Sequence, residues 1–251
     1  MRRTDRIRKL QASRGSSPAY LLNFLRNFAA PARLMHASIR AFRSDETLLR
    51  QSMRQYVIGI ASCLETYYRD LYVALLQADQ QLVRRPFERD RRASRLTKLR
   101  AAGPDDIPEA EWAAELAKFQ NLLGIDQALS ELLEPLGYVQ ALTSTDFPCV
   151  IPSRRDDLAC LRLWPEWQDQ FSSVFDHRHE FVHDANKPCT LAPAEMARIE
   201  STALLVPQLT SVLMARQLSA TAPLLAMEGV PTILLVEDLV AGDWQVEAAA
   251  M

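Results

Sequence analysis

The sequence is poor in glycine and lacks the motifs that glycine builds. Only 7 of its 251 residues are Gly, which leaves little material for the tight turns of a nucleotide-binding α/β fold. Neither GxGxxG nor GxxxxGKS/T, the phosphate-binding loops of such folds, occurs in the chain. These absences argue against a dinucleotide or P-loop enzyme, and we expect no cofactor.

Long apolar runs and paired cysteines are missing as well. No apolar run approaches the roughly 20 residues of a membrane span, and the charged start MRRTDRIRKL is unlike a secretory signal. The four cysteines, Cys63, Cys149, Cys160 and Cys189, stand too far apart for a CxxC pair. We therefore expect a cytoplasmic protein with reduced thiols and no membrane association.

Basic residues are concentrated in the first part of the chain, although the net charge is only −2. Residues 1–100 hold 21 Lys and Arg against 8 Asp and Glu, and the rest of the chain holds 8 against 23. Such a separation is typical of a basic surface that faces a polyanion, or of oppositely charged faces that pair on folding or assembly. The densest basic run, residues 84–100, is either a solvated face or a surface for RNA phosphates. The candidate RNA-binding residues are Arg84, Arg85, Arg91 and Arg92.

Apolar residues recur at helical spacing along most of the chain, which predicts an all-α fold. The longest stripe runs from Glu46 to about Gln77 and follows Ser44-Asp45, a pair of residues typical of a helix N-cap. Pro31 is expected to break or kink the helix before it. The predicted organisation is a basic N-terminal segment with short helices (1–44), a helical domain (45–217) and a small C-terminal appendage (218–251).

Two regions do not fit the helical pattern. Residues 144–156 are expected to be irregular. Pro231–Val236 is the one convincing strand candidate, and Trp244–Val246 could complete a β-hairpin with it in the C-terminal appendage.

Three of the four histidines fall within seven residues, HRHEFVH at 177–183. One motif in this span is HExxH, the zinc-protease signature, in which His179 and His183 would bind zinc and Glu180 would act as the base. The metzincin extension is absent, and the nearest downstream carboxylates, Glu195 and Glu200, fit no zinc-ligand pattern. We therefore expect no metal site.

The other motif is RxxxxH, from Arg178 to His183. Its arginine falls on the apolar stripe of the predicted helix. Arg178 stands four residues after Val174 and four before Val182, on a stripe that also holds Trp167 and Phe171. A guanidinium on such a stripe needs an acidic or phosphate partner. One interpretation is a structural ion pair with an acidic residue of the long helix, Glu65 or Asp70. The other is a catalytic or phosphate-binding arginine.

The segment FDHRHEFVHDAN resembles the signature of HEPN domains, an arginine, a polar residue, three further residues and a histidine, followed by a small or polar turn. The order of elements is also similar: a long helix with the segment CLETYYRDL, the motif helix, and then a capped helix. The resemblance covers about residues 46–217 and is greatest to RiboL-PSP and related stand-alone bacterial HEPN proteins. It implies an HEPN-like helical bundle.

The resemblance also implies a function, a metal-independent endoribonuclease of a bacterial defence or toxin–antitoxin system. Arg178 and His183 would be the catalytic pair, His179 an auxiliary polar residue and Glu65 an orienting acid. Because the family's site forms where the motif helices of two subunits meet, the implied partners are RNA, a second copy of the chain and an antitoxin protein. A dimer would also bring together residues that lie roughly 140° apart on one helix. The alternatives are a non-catalytic HEPN protein that binds RNA or a partner, and the zinc hydrolase.

Overall fold

The computed structural model describes residues 3–14, 19–79, 92–104, 106–133, 135–154, 158–184, 186–218, 226–227 and 229–241. Within these ranges the chain forms ten α-helices and four short strands, so the all-α prediction is confirmed. None of the described helices is long and apolar enough to cross a membrane. The helices are α1 Arg3–Arg14, α2 Tyr20–Ala41, α3 Glu46–Ala78, α4 Arg92–Ala102, α5 Glu109–Ala114, α6 Leu122–Ser130, α7 Tyr138–Ser144, α8 Trp167–His183, α9 Pro193–Leu218 and α10 Val236–Ala241. The strands are β1 Phe147–Val150, β2 Leu158–Leu161, β3 Ala226–Met227 and β4 Val230–Pro231.

Helix α3 is the central element of the fold. It begins where the sequence predicts, because the Asp45 side chain accepts a hydrogen bond from the backbone N–H of Leu48 at 3.0 Å. Helices α2, α8, α9 and α5 all pack against it. Its apolar stripe is buried as expected, with Val57, Leu64 and Leu71 fully enclosed in the core.

A network of buried hydroxyl groups joins α3 to its neighbours. The Tyr67 hydroxyl lies 2.7 Å from Ser211 Oγ of α9. The Tyr68 hydroxyl lies 3.0 Å from that of Tyr138 in α7, which in turn lies 2.8 Å from Thr210 Oγ1. These hydrogen bonds offset the cost of burying the hydroxyls and fix the register of α3 against α7 and α9.

Of the two effects predicted for Pro31, a break or a kink, the break is wrong. Helix α2 continues through Pro31 as one element of 22 residues. The proline ring faces Gly59 of α3, where an added Cβ would lie 3.8 Å from Pro31 Cβ. A proline removes one backbone hydrogen bond, and the close packing of α2 on α3 offsets that loss.

The prediction of irregular structure at 144–156 is wrong for residues 147–150. Strand β1 lies in this segment and pairs antiparallel with β2, with Phe147 opposite Leu161 and Cys149 opposite Ala159. Phe147 and Cys149 are buried against the helical core. Strands of four residues leave too short a pattern for periodicity to identify them.

The C-terminal hairpin exists, but at other residues than the sequence suggests. Strand β4 pairs with β3 across a turn in which Gly229 has a φ of 81°, a conformation that favours glycine. Val236 begins α10 rather than ending a strand, because the Asp238 side chain accepts a hydrogen bond from the Leu235 N–H at 2.7 Å and so caps the helix. Trp244–Val246 lies outside the described residues.

Candidate active site

The C-terminal end of α8, which carries the histidine motif, is held by an arginine of α3. Arg54 donates hydrogen bonds to the carbonyl oxygens of Asp184 at 2.8 Å, Lys187 at 3.0 Å and Phe181. Its guanidinium also lies 5.4 Å from the centre of the Phe181 ring. The last carbonyl groups of a helix have no hydrogen-bond partner within the helix, and a guanidinium at this end can donate to them. Its positive charge also interacts favourably with the negative end of the helix dipole. Arg54 therefore fixes the position of the motif.

Arg178 is the motif residue that faces α3. Its Nη2 atom lies 3.5 Å from Glu65 Oε1, so the ion pair with Glu65 that the sequence suggested is present within one chain. The contact is loose, since Glu65 Oε1 is buried and has no hydrogen-bond partner. About a quarter of the Arg178 side chain remains exposed. The guanidinium thus keeps donors free for a further acceptor.

The pKa of the Glu65 carboxyl depends on its burial and on the arginines near it. Burial raises the pKa of the Glu65 carboxyl above its ordinary value, while the positive charges of Arg178 and Arg6 act in the opposite direction. Glu65 is therefore a partly buried acid beside the motif arginine.

The two motif histidines lie together on the exposed side of α8. The rings of His179 and His183 are 4.4 Å apart between centroids, and both residues are exposed. The prediction that Val182 belongs to the apolar stripe is wrong, because half of its surface is exposed, whereas Val174 and Phe171 are buried. Val182 lies three residues from His179, so it borders the histidine pair on the same face of the helix.

The structure does not bring Arg178 and His183 together in one chain. No hydrogen bond, ion pair or ring contact joins them in the part of the chain that the structure describes. Arg178 faces Glu65, and His183 faces His179. This separation agrees with their five-residue spacing on a helix.

Within the described residues, the HExxH motif has no third metal ligand beside it. The Glu180 carboxylate binds Lys187 Nζ at 2.9 Å and lies 3.8 Å from His177 Nδ1. These contacts lower the pKa of Glu180, the hydrogen bond from Lys187 most of all. Glu200 is buried elsewhere, where it accepts a hydrogen bond from Tyr56. Among the described residues, no group of three His, Cys, Asp or Glu side chains could hold a metal ion.

Three of the four proposed RNA-binding residues lie outside the described residues. Arg84, Arg85 and Arg91 lie there, and Arg92 begins α4. The residues that sequence reasoning missed are Arg50 and Arg54, whose four-residue spacing puts both on one side of α3. Arg50 donates to the Cys189 carbonyl oxygen at 2.7 Å. The spacing is visible in the sequence, but the carbonyl partners, more than 100 residues away, are not.

No protein-family model, no curated protein and no solved structure matches this chain.

Proposed function

We propose that the chain is a metal-independent endoribonuclease of the HEPN type that acts at the α8 motif in a bacterial defence or toxin–antitoxin system. The observation that supports this best is the exposure of His179 and His183 together, on the helix that also presents the partly exposed Arg178. Histidine titrates near neutral pH and can move a proton in either direction.

The residues suit cleavage of RNA by its own 2′-hydroxyl group. His183 takes the proton of the 2′-hydroxyl while that oxygen bonds to phosphorus, or gives a proton to the 5′-oxygen as the P–O5′ bond breaks. Arg178 binds the non-bridging oxygens and stabilises the charge that develops on them. A phosphodiester does not fit between rings 4.4 Å apart, so His179 acts beside His183 on the same side of the substrate, as the auxiliary polar residue.

A homodimer would complete this site. Arg178 and His183 point about 140° apart on α8, so Arg178 of one chain could meet His183 of a second one where two copies of α8 pack. Val182, apolar and half exposed beside the histidines, is the contact that such a partner would cover. Val182→Glu should convert dimers into monomers in sedimentation and lower cleavage with them. Leu34→Glu, at an exposed leucine of α2, is the matched control and should change neither property.

A second function, a non-catalytic HEPN protein that binds RNA or a protein partner, is favoured by a specific observation. Arg178 already has the partner Glu65 within its own chain. If Arg178 serves only to hold α8 against α3 through this ion pair, it does not bind a substrate phosphate, and the motif would not cleave RNA.

Cleavage of single-stranded RNA by the full-length protein, with and without EDTA, tests these functions. Arg178→Ala should lower cleavage by on the order of a hundredfold or more, because a transition-state donor is lost. His183→Ala should have an effect of similar size. Glu180→Gln is the control on the same helix and should remain close to the wild type.

Each function predicts a different result. Cleavage that survives EDTA and Glu180→Gln but not Arg178→Ala supports the ribonuclease. Activity lost to EDTA and to Glu180→Gln would mean the zinc hydrolase instead. Binding of RNA without cleavage, unchanged by His183→Ala, would mean the non-catalytic protein.

A further inference from the structure

A cavity of about 260 Å³ lies between α1, α3 and the segment that follows α5. Three cationic side chains line it: Arg6 of α1, Arg69 of α3, and Lys118. Glu65, the partner of Arg178, lines it as well, so the cavity adjoins the α8 motif. Its volume is well above the ~30 Å³ that one water takes in the liquid, so it can admit a small ligand.

Arg69 is a buried arginine of the cavity lining whose guanidinium is only partly hydrogen-bonded. Its side chain is only 9% exposed, and Nη1 lies 2.8 Å from Glu115 Oε1 while Nη2 lies 3.6 Å from Glu111 Oε2. Even so, Nε and Nη2 donate no hydrogen bond. Buried donors without acceptors are costly. Arg69 therefore lines the cavity as a buried cation whose hydrogen-bonding capacity is not fully used within the described chain.

Arg6 and Lys118 add positive charge that the cavity walls do not balance. Both are exposed and form no ion pair within the described ranges, although Arg6 acts on Glu65 at longer range. The two carboxylates of the lining already have other cations: Arg178 beside Glu65, and Arg3, whose Nε lies 3.8 Å from Glu115. Arg6 and Lys118 therefore line the cavity as cations that form no ion pair with the described residues.

The local charge balance is positive. Among the described residues, the lining side chains and their ion-pair partners include five cations and three carboxylates. They are Arg3, Arg6, Arg69, Lys118 and Arg178, against Glu65, Glu111 and Glu115. An excess of two positive charges matches a dianion.

We propose that this cavity binds a phosphate monoester, either a free mononucleotide or the terminal phosphate of an RNA strand. Arginine suits this ligand because its planar fork binds two phosphate oxygens at once, and the lysine supplies a compact positive charge. The sequence of residues 106–133, which include Lys118, holds a single glycine and no Gly-rich phosphate loop, so the recognition rests on side chains. The site stands whether or not the α8 motif cleaves RNA.

The double variant Arg6→Gln/Lys118→Gln tests the site on the full-length protein. These two side chains are exposed, so their loss leaves the core intact, whereas replacing Arg69 would remove a buried cation that contacts both Glu111 and Glu115. The matched control is Lys9→Gln/Arg40→Gln, which removes the same charge from exposed positions that do not line the cavity. Thermal denaturation checks that both variants are folded.

The probes are inorganic phosphate, AMP and adenosine, titrated by calorimetry against sodium chloride at equal ionic strength. We expect phosphate and AMP to bind and adenosine not to bind. The cavity variant should bind about tenfold more weakly or worse, and the control should match the wild type. Failure of both phosphate and AMP to bind, or equal weakening in the control, would overturn the proposal.

A second pair of probes identifies the source of the phosphate. A short RNA with a 5′-phosphate that binds more tightly than its 5′-hydroxyl counterpart, with the difference lost in the cavity variant, indicates an RNA end. AMP that binds as tightly as the phosphorylated RNA indicates a free mononucleotide. Neither result depends on cleavage, which Arg178→Ala and His183→Ala test separately.

Discussion

Replacing Arg54 should loosen the end of α8 and with it the motif histidines. In Arg54→Met the aliphatic stem is kept, while the guanidinium that binds the carbonyls of Phe181, Asp184 and Lys187 is lost. Hydrogen bonds to a charged group contribute about 1.5–3 kcal/mol each. The three bonds share one guanidinium, and the turn is exposed enough for water to replace part of them, so we expect a loss of about 2 kcal/mol.

For a chain of this size, about 2 kcal/mol corresponds to a fall in Tm of roughly 4–8 °C. Differential scanning calorimetry measures that fall, and amide hydrogen exchange should show lost protection confined to the last turn of α8. Arg43→Met is the control, since Arg43 is exposed just before α3. A Tm within a degree of the wild type, with unchanged exchange at the end of α8, would refute the role assigned to Arg54.

Three further predictions follow from buried groups. Burial raises the pKa of Glu65, so its ionisation lowers the stability of the folded wild type as the pH rises above the ordinary carboxyl pKa. The Tm of Glu65→Gln minus that of the wild type should therefore increase between pH 4 and pH 7, and a difference that shrinks over this range would contradict the prediction. Burial also raises the pKa of the Cys63 thiol to about 11, so iodoacetamide at pH 8 should modify the exposed Cys160 well before Cys63. Mass spectrometry of the peptides measures both rates, and equal rates would contradict the prediction. Tyr68→Phe removes one hydrogen-bond partner of the buried Tyr138 hydroxyl and should lower the free energy of unfolding, measured in urea, by about 1–2 kcal/mol. A free energy of unfolding equal to that of the wild type would show that the contact contributes nothing.

The sequence predicts the long helices well because their evidence is local. Asp45 caps α3 through a contact three residues away, and the stripe that follows repeats over many turns. Pro31 shows the limit of local evidence. Its tendency to end a helix is overridden by packing against Gly59, which no spacing in the sequence reveals.

Some contacts between residues of the candidate site could be predicted for the same reason. The histidine pair follows from a four-residue spacing, and Glu65 was one of two acids that the apolar stripe suggested for Arg178. The Arg54 contacts and the cavity beside Arg69 depend on segments far apart in the chain. Only the folded chain brings such segments together.

The central position of α3 has a consequence for synthesis on the ribosome. Tyr67 lies 144 residues before Ser211, its hydrogen-bond partner in α9. At about 5–20 residues per second, the ribosome needs roughly 7–30 s to make the intervening chain. Helix α2 can cover one side of α3 early, but the face that α8 and α9 will cover stays open for that time. The nascent chain therefore exposes a wide apolar surface with unpaired tyrosine hydroxyls, and we expect its yield to depend on chaperones more than the stability of the finished fold would suggest.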